Sequence, residues 1–143
     1  MFQSLWEDAK REFSYGNMET RLIIVNVAVF VLMGLTSVIL LLSVGTDGPS
    51  KFDELHRYFS ISDDFLFNLT HPWVIFTHMF LHHDFLHILF NMLFLYWFGK
   101  IVGDFLGNQR ILPLYLIGGL AGALAYFTSA QLGVLPIGGY ALG

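Results

Sequence analysis

The sequence predicts an all-α membrane protein, a polytopic bundle of apolar helices. Of its 143 residues, 55% are hydrophobic and only 13% are charged, and the mean hydropathy is +0.63. The apolar residues come in long blocks instead of alternating with polar ones, which favours helices embedded in a lipid bilayer. A net charge of −4 without a basic tract argues against nucleic acid as a partner. Cysteine is absent, so the chain has no disulfides and no thiolate metal sites.

The first predicted span covers residues 22–44, which carry no charge. At a rise of 1.5 Å per residue this helix reaches roughly 35 Å, more than the hydrocarbon core of about 30 Å. Residues 45–72 are too apolar for a plain linker and too polar to span, so we expect an interfacial loop. Residues 1–21 are predicted to be an amphipathic segment at the membrane surface. Its apolar residues recur at helical spacing among charged ones: Phe2, Leu5, Trp6, Ala9 and Phe13.

Two further spans are predicted. The second has its core at about residues 85–98 and can extend backward over residues 73–81, to cover 73–98, and the third covers residues 111–130. The second span is continuous only if the histidines near its start are buried in protein and not exposed to lipid. A tight polar connection bounded by Lys100 and Arg110 separates the two spans. Small residues crowd the third span, and we expect them to let another helix approach closely.

The distribution of basic residues predicts a cytoplasmic N-terminus. Of the seven lysines and arginines, five precede the first span or lie between the second and third. Those two regions share one side of the membrane, and an excess of basic residues marks the cytoplasmic side.

Four histidines lie within ten residues at the entrance of the second span: His78, His82, His83 and His87. Polar groups at membrane depth are costly, so a functional role is the default there. His87 and Asn91 are four residues apart and share one face of a helix. An imidazole and a carboxamide can both direct N–H donors at one point and stabilise an oxyanion. His82 is expected just outside the regular helix, where it could add a third donor or orient a substrate carbonyl.

The stretch HHDFLHILFNMLFLYWFG closely resembles the second transmembrane helix of the rhomboid intramembrane serine proteases. The family pattern there is His, four residues, His, three residues, Asn, and His82, His87 and Asn91 match it position by position. The resemblance covers most of residues 20–143. It implies a rhomboid-like bundle with about three of the six core helices, in which residues 22–143 form a partial rhomboid domain.

The resemblance implies an intramembrane serine endopeptidase that cleaves transmembrane protein substrates with a Ser–His dyad. It implies no metal and no cofactor, and a monomer in the bilayer. The family's serine follows a glycine at the start of a fourth helix and its histidine lies on the sixth, and neither helix is found in these residues. The resemblance places Gly143 as the glycine of the serine motif. We therefore expect the N-terminal part of a longer protease, inactive alone, that carries only the oxyanion-hole half.

One departure from the family pattern is clear. Many members have Trp-Arg in the loop before the second helix, where this chain has Trp73-Val74. No residue of this chain is assigned the role of that arginine, and the departure does not affect the candidate catalytic residues.

Two other functions fit parts of the pattern. A rhomboid-like pseudoprotease would bind transmembrane clients without cutting them, and only sequence beyond Gly143 separates it from a protease. The pairs His78/His82 and His83/His87 also resemble the histidine boxes of membrane di-iron oxygenases and desaturases, because imidazoles one helical turn apart can chelate a metal. Those sites need more histidines, in several separated boxes, than the six that this chain holds in one region.

Overall fold

The computed structural model describes residues 2–134 and 139–141. These residues form helices joined by short turns, with one two-residue strand pair. The helices are α1 Phe2–Tyr15, α2 Met18–Val44, α3 Gly48–Tyr58, α4 Phe65–Thr70, α5 Val74–Thr77, α6 Phe85–Leu106 and α7 Ile111–Gln131. Strands β1 (Ile61–Ser62) and β2 (Tyr140–Ala141) pair antiparallel, with Ile61 opposite Ala141.

Three helical segments, built on α2, α6 and α7, are long and apolar enough to cross a membrane. Their outward faces carry large apolar side chains that remain exposed, such as Leu42 on α2 and Phe105 on α6. A helix that is apolar all round is typical of a membrane span. The predicted fold class, an all-α helical membrane protein, is confirmed.

The first and third long helices occupy the residues predicted for them, with small shifts at their ends. α2 begins at Met18, ahead of the predicted residue 22, and ends at Val44, where the C-cap Gly45 adopts a positive φ of 65°. The backbone N–H of Met18 donates to Asn108 Oδ1 at 2.7 Å. This bond fastens the start of α2 to the turn between α6 and α7.

The second long helix begins where the core of the second span is predicted, at Phe85, but it does not extend backward over residues 73–81 as one continuous helix. Residues 74–77 form the single turn α5, a 3-10 turn follows at His78–Phe80, and α6 begins only at Phe85. Asp84 is the N-cap of α6, and its Oδ1 accepts a hydrogen bond from the backbone N–H of His87 at 2.9 Å. An aspartate at this position satisfies a backbone donor that the first helical turn leaves free. The N-cap therefore sets the start of α6, although the residues before it are also apolar. α6 extends to Leu106.

The closest approach between long helices that depends on a glycine joins α2 to α6. A Cβ added at Gly99 would lie 2.6 Å from the Cβ of Glu19, so only glycine permits this contact. Glu19 is buried there, and its Oε2 has no hydrogen-bond partner within the described part of the chain. The glycines of the third span differ from one another. Gly119 lies directly against Met79, whereas Gly118 and Gly122 have no atom of the described residues within 4 Å of an added Cβ.

Candidate active site

A cavity of about 550 Å³ opens between α6, α7 and the turn that precedes α6. His82 and Asn91 both line it, together with Met79. Gly118 and Gly122 form part of its α7 wall, which explains why they have no close neighbour. A largely apolar concavity with a few convergent polar groups is the usual form of a binding or catalytic site.

His82 lies just before α6 and is only 4% exposed. Burial, and then the nearby imidazole of His87, lower the pKa of His82 below its ordinary value of 6.5. The ring is therefore neutral at pH 7. Its Nδ1 donates to the carbonyl oxygen of Phe80 at 3.4 Å. A neutral imidazole carries one proton, so this bond leaves Nε2 as a hydrogen-bond acceptor.

His87 and Asn91 lie one turn apart on α6, as the spacing predicted. Because Asp84 caps the helix, His87 sits in its first turn, and its ring centroid is 5.2 Å from that of His82. Asn91 is half-buried and lines the cavity, whereas His87 is half-buried and is not one of the lining residues. The structure brings the three residues into one region, and their role as an oxyanion hole stays a prediction.

The histidine pairs do not form chelating boxes among the described residues, where no group of three or more potential ligands could hold a metal ion. The pair His83/His87 loses the helical register because α6 begins only at Phe85. His83 is exposed, and its ring faces that of His56 at a centroid distance of 6.3 Å. His78 Nδ1 donates to the carbonyl oxygen of Val74 at 2.9 Å, so one of its nitrogens is already engaged.

The sequence reasoning missed a polar link behind the cavity. Asn26 in α2 is fully buried, and its Nδ2 donates to the carbonyl oxygen of Leu22 at 2.8 Å and to Tyr115 Oη at 3.2 Å. The Tyr115 hydroxyl in turn donates to the carbonyl oxygen of Met79 at 2.8 Å. A carboxamide in an otherwise apolar span was the signal that could have revealed it.

The chain contains one triplet of the form Gly-x-Ser, Gly48-Pro49-Ser50, which the sequence reasoning also missed. It lies at the start of α3, not at a membrane span. Ser50 is exposed, and its Oγ donates to the carbonyl oxygen of Asp47 at 2.8 Å. Ser50 is not among the residues that line the cavity. Gly143, to which the serine motif was assigned by resemblance, lies outside the described residues.

The fold and the cavity together define a helical membrane protein with a polar site at the start of one long helix. In a comparison of the chain with known protein families, the rhomboid domain matches residues 69–142, just over half of the chain. The chain belongs to the rhomboid family. No curated protein and no solved structure matches it. The matched residues include the histidine-rich turn, α6 and α7, and with them each candidate site residue.

Val74, which follows Trp73 in the loop before α6, belongs to a small apolar cluster. Val74 is fully buried and forms an apolar cluster with Ile61 of β1 and Ala123 of α7. Phe67 and Tyr126 pack against this cluster. In this chain apolar packing, not a charged side chain, therefore holds the loop against α7.

Proposed function

We propose that the protein is an intramembrane serine endopeptidase of the rhomboid type, which cleaves transmembrane protein substrates by a Ser–His dyad. The observation that carries the proposal is the meeting of His82 and Asn91 at one cavity, with the His87 ring beside that of His82. Membership of the rhomboid family supports the same reaction class. These 143 residues contribute the oxyanion-hole half of the site, and neither member of the dyad is assigned to any of them.

In this reaction the serine Oγ attacks the scissile carbonyl carbon while the dyad histidine takes its proton. The carbonyl oxygen becomes an oxyanion. As it collapses, the C–N bond breaks and the histidine gives its proton to the leaving amine, and water later hydrolyses the acyl-serine ester to release the acid and restore the serine. We assign the stabilisation of the oxyanion to the Asn91 Nδ2–H and a His87 ring N–H. Asn91 lines the largely apolar cavity, and a donor fixed in such a cavity acts strongly because little water screens it.

His82 has a different part in the proposal. Its Nε2 is an acceptor in the tautomer that the bond to Phe80 selects, so it does not donate to the oxyanion in that state. The His82 Nε2 acceptor lies beside the two proposed donors, so it is suited to accept a hydrogen bond from a backbone N–H of the substrate. His82 would thus orient the peptide bond rather than bear its developing charge.

We further propose that α2, α6 and α7 all span the bilayer, with the N-terminus in the cytoplasm. The support is the excess of basic residues on that side and the three apolar helices. The loop that contains α3 and α4 would then lie on the outer side. The proposed partners of the protein are the lipid bilayer and transmembrane substrates, and its proposed oligomeric state is a monomer.

The test uses the full-length protein in liposomes, with cleavage of a transmembrane substrate and labelling by a fluorophosphonate probe as the two measurements. Asn91→Ala and His87→Ala should each lower turnover on the order of 10²–10³-fold, the usual loss when one oxyanion donor is removed. His83→Ala is the matched control, because His83 is an exposed histidine of the same segment. Metal chelators should have no effect.

The outcomes separate the three candidate functions. Substrate binding without labelling or cleavage would indicate a pseudoprotease. Loss of activity in His83→Ala and with chelators, with Asn91→Ala unaffected, would point to a histidine-box metal enzyme.

A further inference from the structure

The 3-10 turn His78–Phe80 carries His82 at its exit, so the position of this turn sets where the imidazole lies. The turn has three residues and the helix before it, α5, is a single turn, so this segment has little intrinsic stability. Something outside the turn must hold it. Two contacts from α7 do so, one to its backbone and one to a side chain.

The backbone contact is the hydrogen bond from the Tyr115 hydroxyl to the carbonyl oxygen of Met79, at 2.8 Å. A carbonyl oxygen can only accept, so Tyr115 is the donor in this bond. Tyr115 Oη also lies 3.3 Å from Asn26 Oδ1, a second acceptor for the same proton. The shorter contact to the Met79 carbonyl, at 2.8 Å, favours donation to Met79, with Asn26 Nδ2 as the donor to Tyr115 Oη at 3.2 Å.

The side-chain contact lies one helical turn further along α7. A Cβ added at Gly119 would lie 2.6 Å from Met79 Cγ and Sδ, so the Met79 side chain rests directly on the α7 backbone. Met79 is only 3% exposed. The rings of Phe80 and Tyr115 are also in contact, at a centroid distance of 5.7 Å. These contacts seat the turn firmly on α7.

We propose that Tyr115 and Asn26 are positioning residues for His82, acting through the Met79 carbonyl. Both are remote from the candidate oxyanion donors in sequence, and Asn26 does not line the cavity. Tyr115 does line it, but its hydroxyl is occupied by Met79. This inference rests on the proposed function for its catalytic consequence, although the placement of His82 can be measured without any activity.

The first experiment follows the titration of the His82 imidazole by NMR in the full-length protein. Burial keeps the pKa of His82 below 6.5 in the wild type. Tyr115→Phe retains the ring and removes only the hydroxyl, so the turn loosens and the pKa of His82 should shift upward. Asn26→Ala leaves the bond to Met79 and should give a smaller upward shift. Tyr96→Phe is the matched control, since Tyr96 is an exposed tyrosine of α6.

The second experiment measures cleavage by the same variants. Tyr115→Phe should lower kcat about 10- to 100-fold with KM unchanged, the consequence of a small misplacement of an orienting group. The loss in the double variant should be smaller than the two single losses combined, because the residues act in one chain.

A His82 titration in Tyr115→Phe and Asn26→Ala that equals the wild type overturns the inference, as does an unchanged kcat in an active protein. If Tyr115→Phe does not fold, Asn26→Ala decides by the same shift. A wild type that neither cleaves nor labels would overturn the proposed function alone, and the His82 titration would still decide the positioning role.

Discussion

Replacing Gly99 by alanine should force α2 and α6 apart. The new Cβ would start 2.6 Å from the Cβ of Glu19, whereas ordinary contacts lie at 3.4–4 Å. The Glu19 Cβ is fixed to the backbone and cannot rotate away, so the helices must separate by roughly 1 Å to restore contact distance. Overpacking of this kind costs about 1–3 kcal/mol.

The substitution also has a favourable part, because alanine stabilises a helix interior by about 1 kcal/mol relative to glycine. Gly34→Ala isolates that part. Gly34 lies within α2 and has no atom within 4 Å of an added Cβ. The difference in unfolding free energy between the two variants is therefore the cost of separating the helices. We expect the lower half of the range, because separation also lets water reach the buried Oε2 of Glu19, which has no hydrogen-bond partner among the described residues.

The measurement is equilibrium unfolding of both variants and the wild type in mixed detergent micelles. Gly34→Ala should be as stable as the wild type or slightly more stable, and Gly99→Ala should be about 1–2 kcal/mol less stable than Gly34→Ala. Equal stability of the two alanine variants would refute the close contact between Gly99 and Glu19.

Three more predictions test the cap, the titration and the topology. Asp84→Ala should cost about 1 kcal/mol of stability and speed amide exchange in the first turn of α6, because it removes an N-cap; unchanged exchange there would show that the cap does not hold the helix start. The pKa of the His82 imidazole is lowered in the folded protein, so the unfolded chain binds a proton at His82 more readily. The contribution of the neutral His82 to stability is therefore present above pH 6.5 and is lost as the pH falls through the folded pKa. His82→Gln should flatten the pH dependence of the melting temperature in that window, and an unaltered profile would contradict this prediction. Single cysteines at the exposed residues Ser4, Ser50 and Gln109 should react with an impermeant maleimide in intact cells only at Ser50, and any other pattern would refute the proposed topology.

The long helices could be predicted from the sequence because their signal is summed over about twenty residues each. Hydropathy predicts the core of the second span at residues 85–98 but does not exclude its backward extension, since residues 73–81 are nearly as apolar as the helix that follows. Asp84 contained the missing information as an N-cap, but one residue competes poorly with a long apolar pattern. Local capping decided the boundary where summed hydropathy did not.

The sequence predicts which residues form the candidate site, but it does not predict the residues that surround and support them. The spacing of His87 and Asn91 fixed their shared helix face, because four residues make about one turn. No spacing rule relates Asn26 to Tyr115, which are 89 residues apart and meet only through the packing of α2 on α7. The acceptor state of His82 was also beyond the sequence, since it depends on a bond to the Phe80 carbonyl.

The link through Tyr115 also sets an order of events during synthesis. Tyr115 is made 36 residues after Met79, and at roughly 5–20 residues per second it follows about 2 to 7 seconds later. During that interval Asn26 keeps its bond to the Leu22 carbonyl, but the Met79 carbonyl has no tyrosine to meet it. An unpaired polar group in lipid costs several kcal/mol. A nascent chain that stalls before α7 therefore presents a polar defect next to α2, and the arrival of α7 removes it.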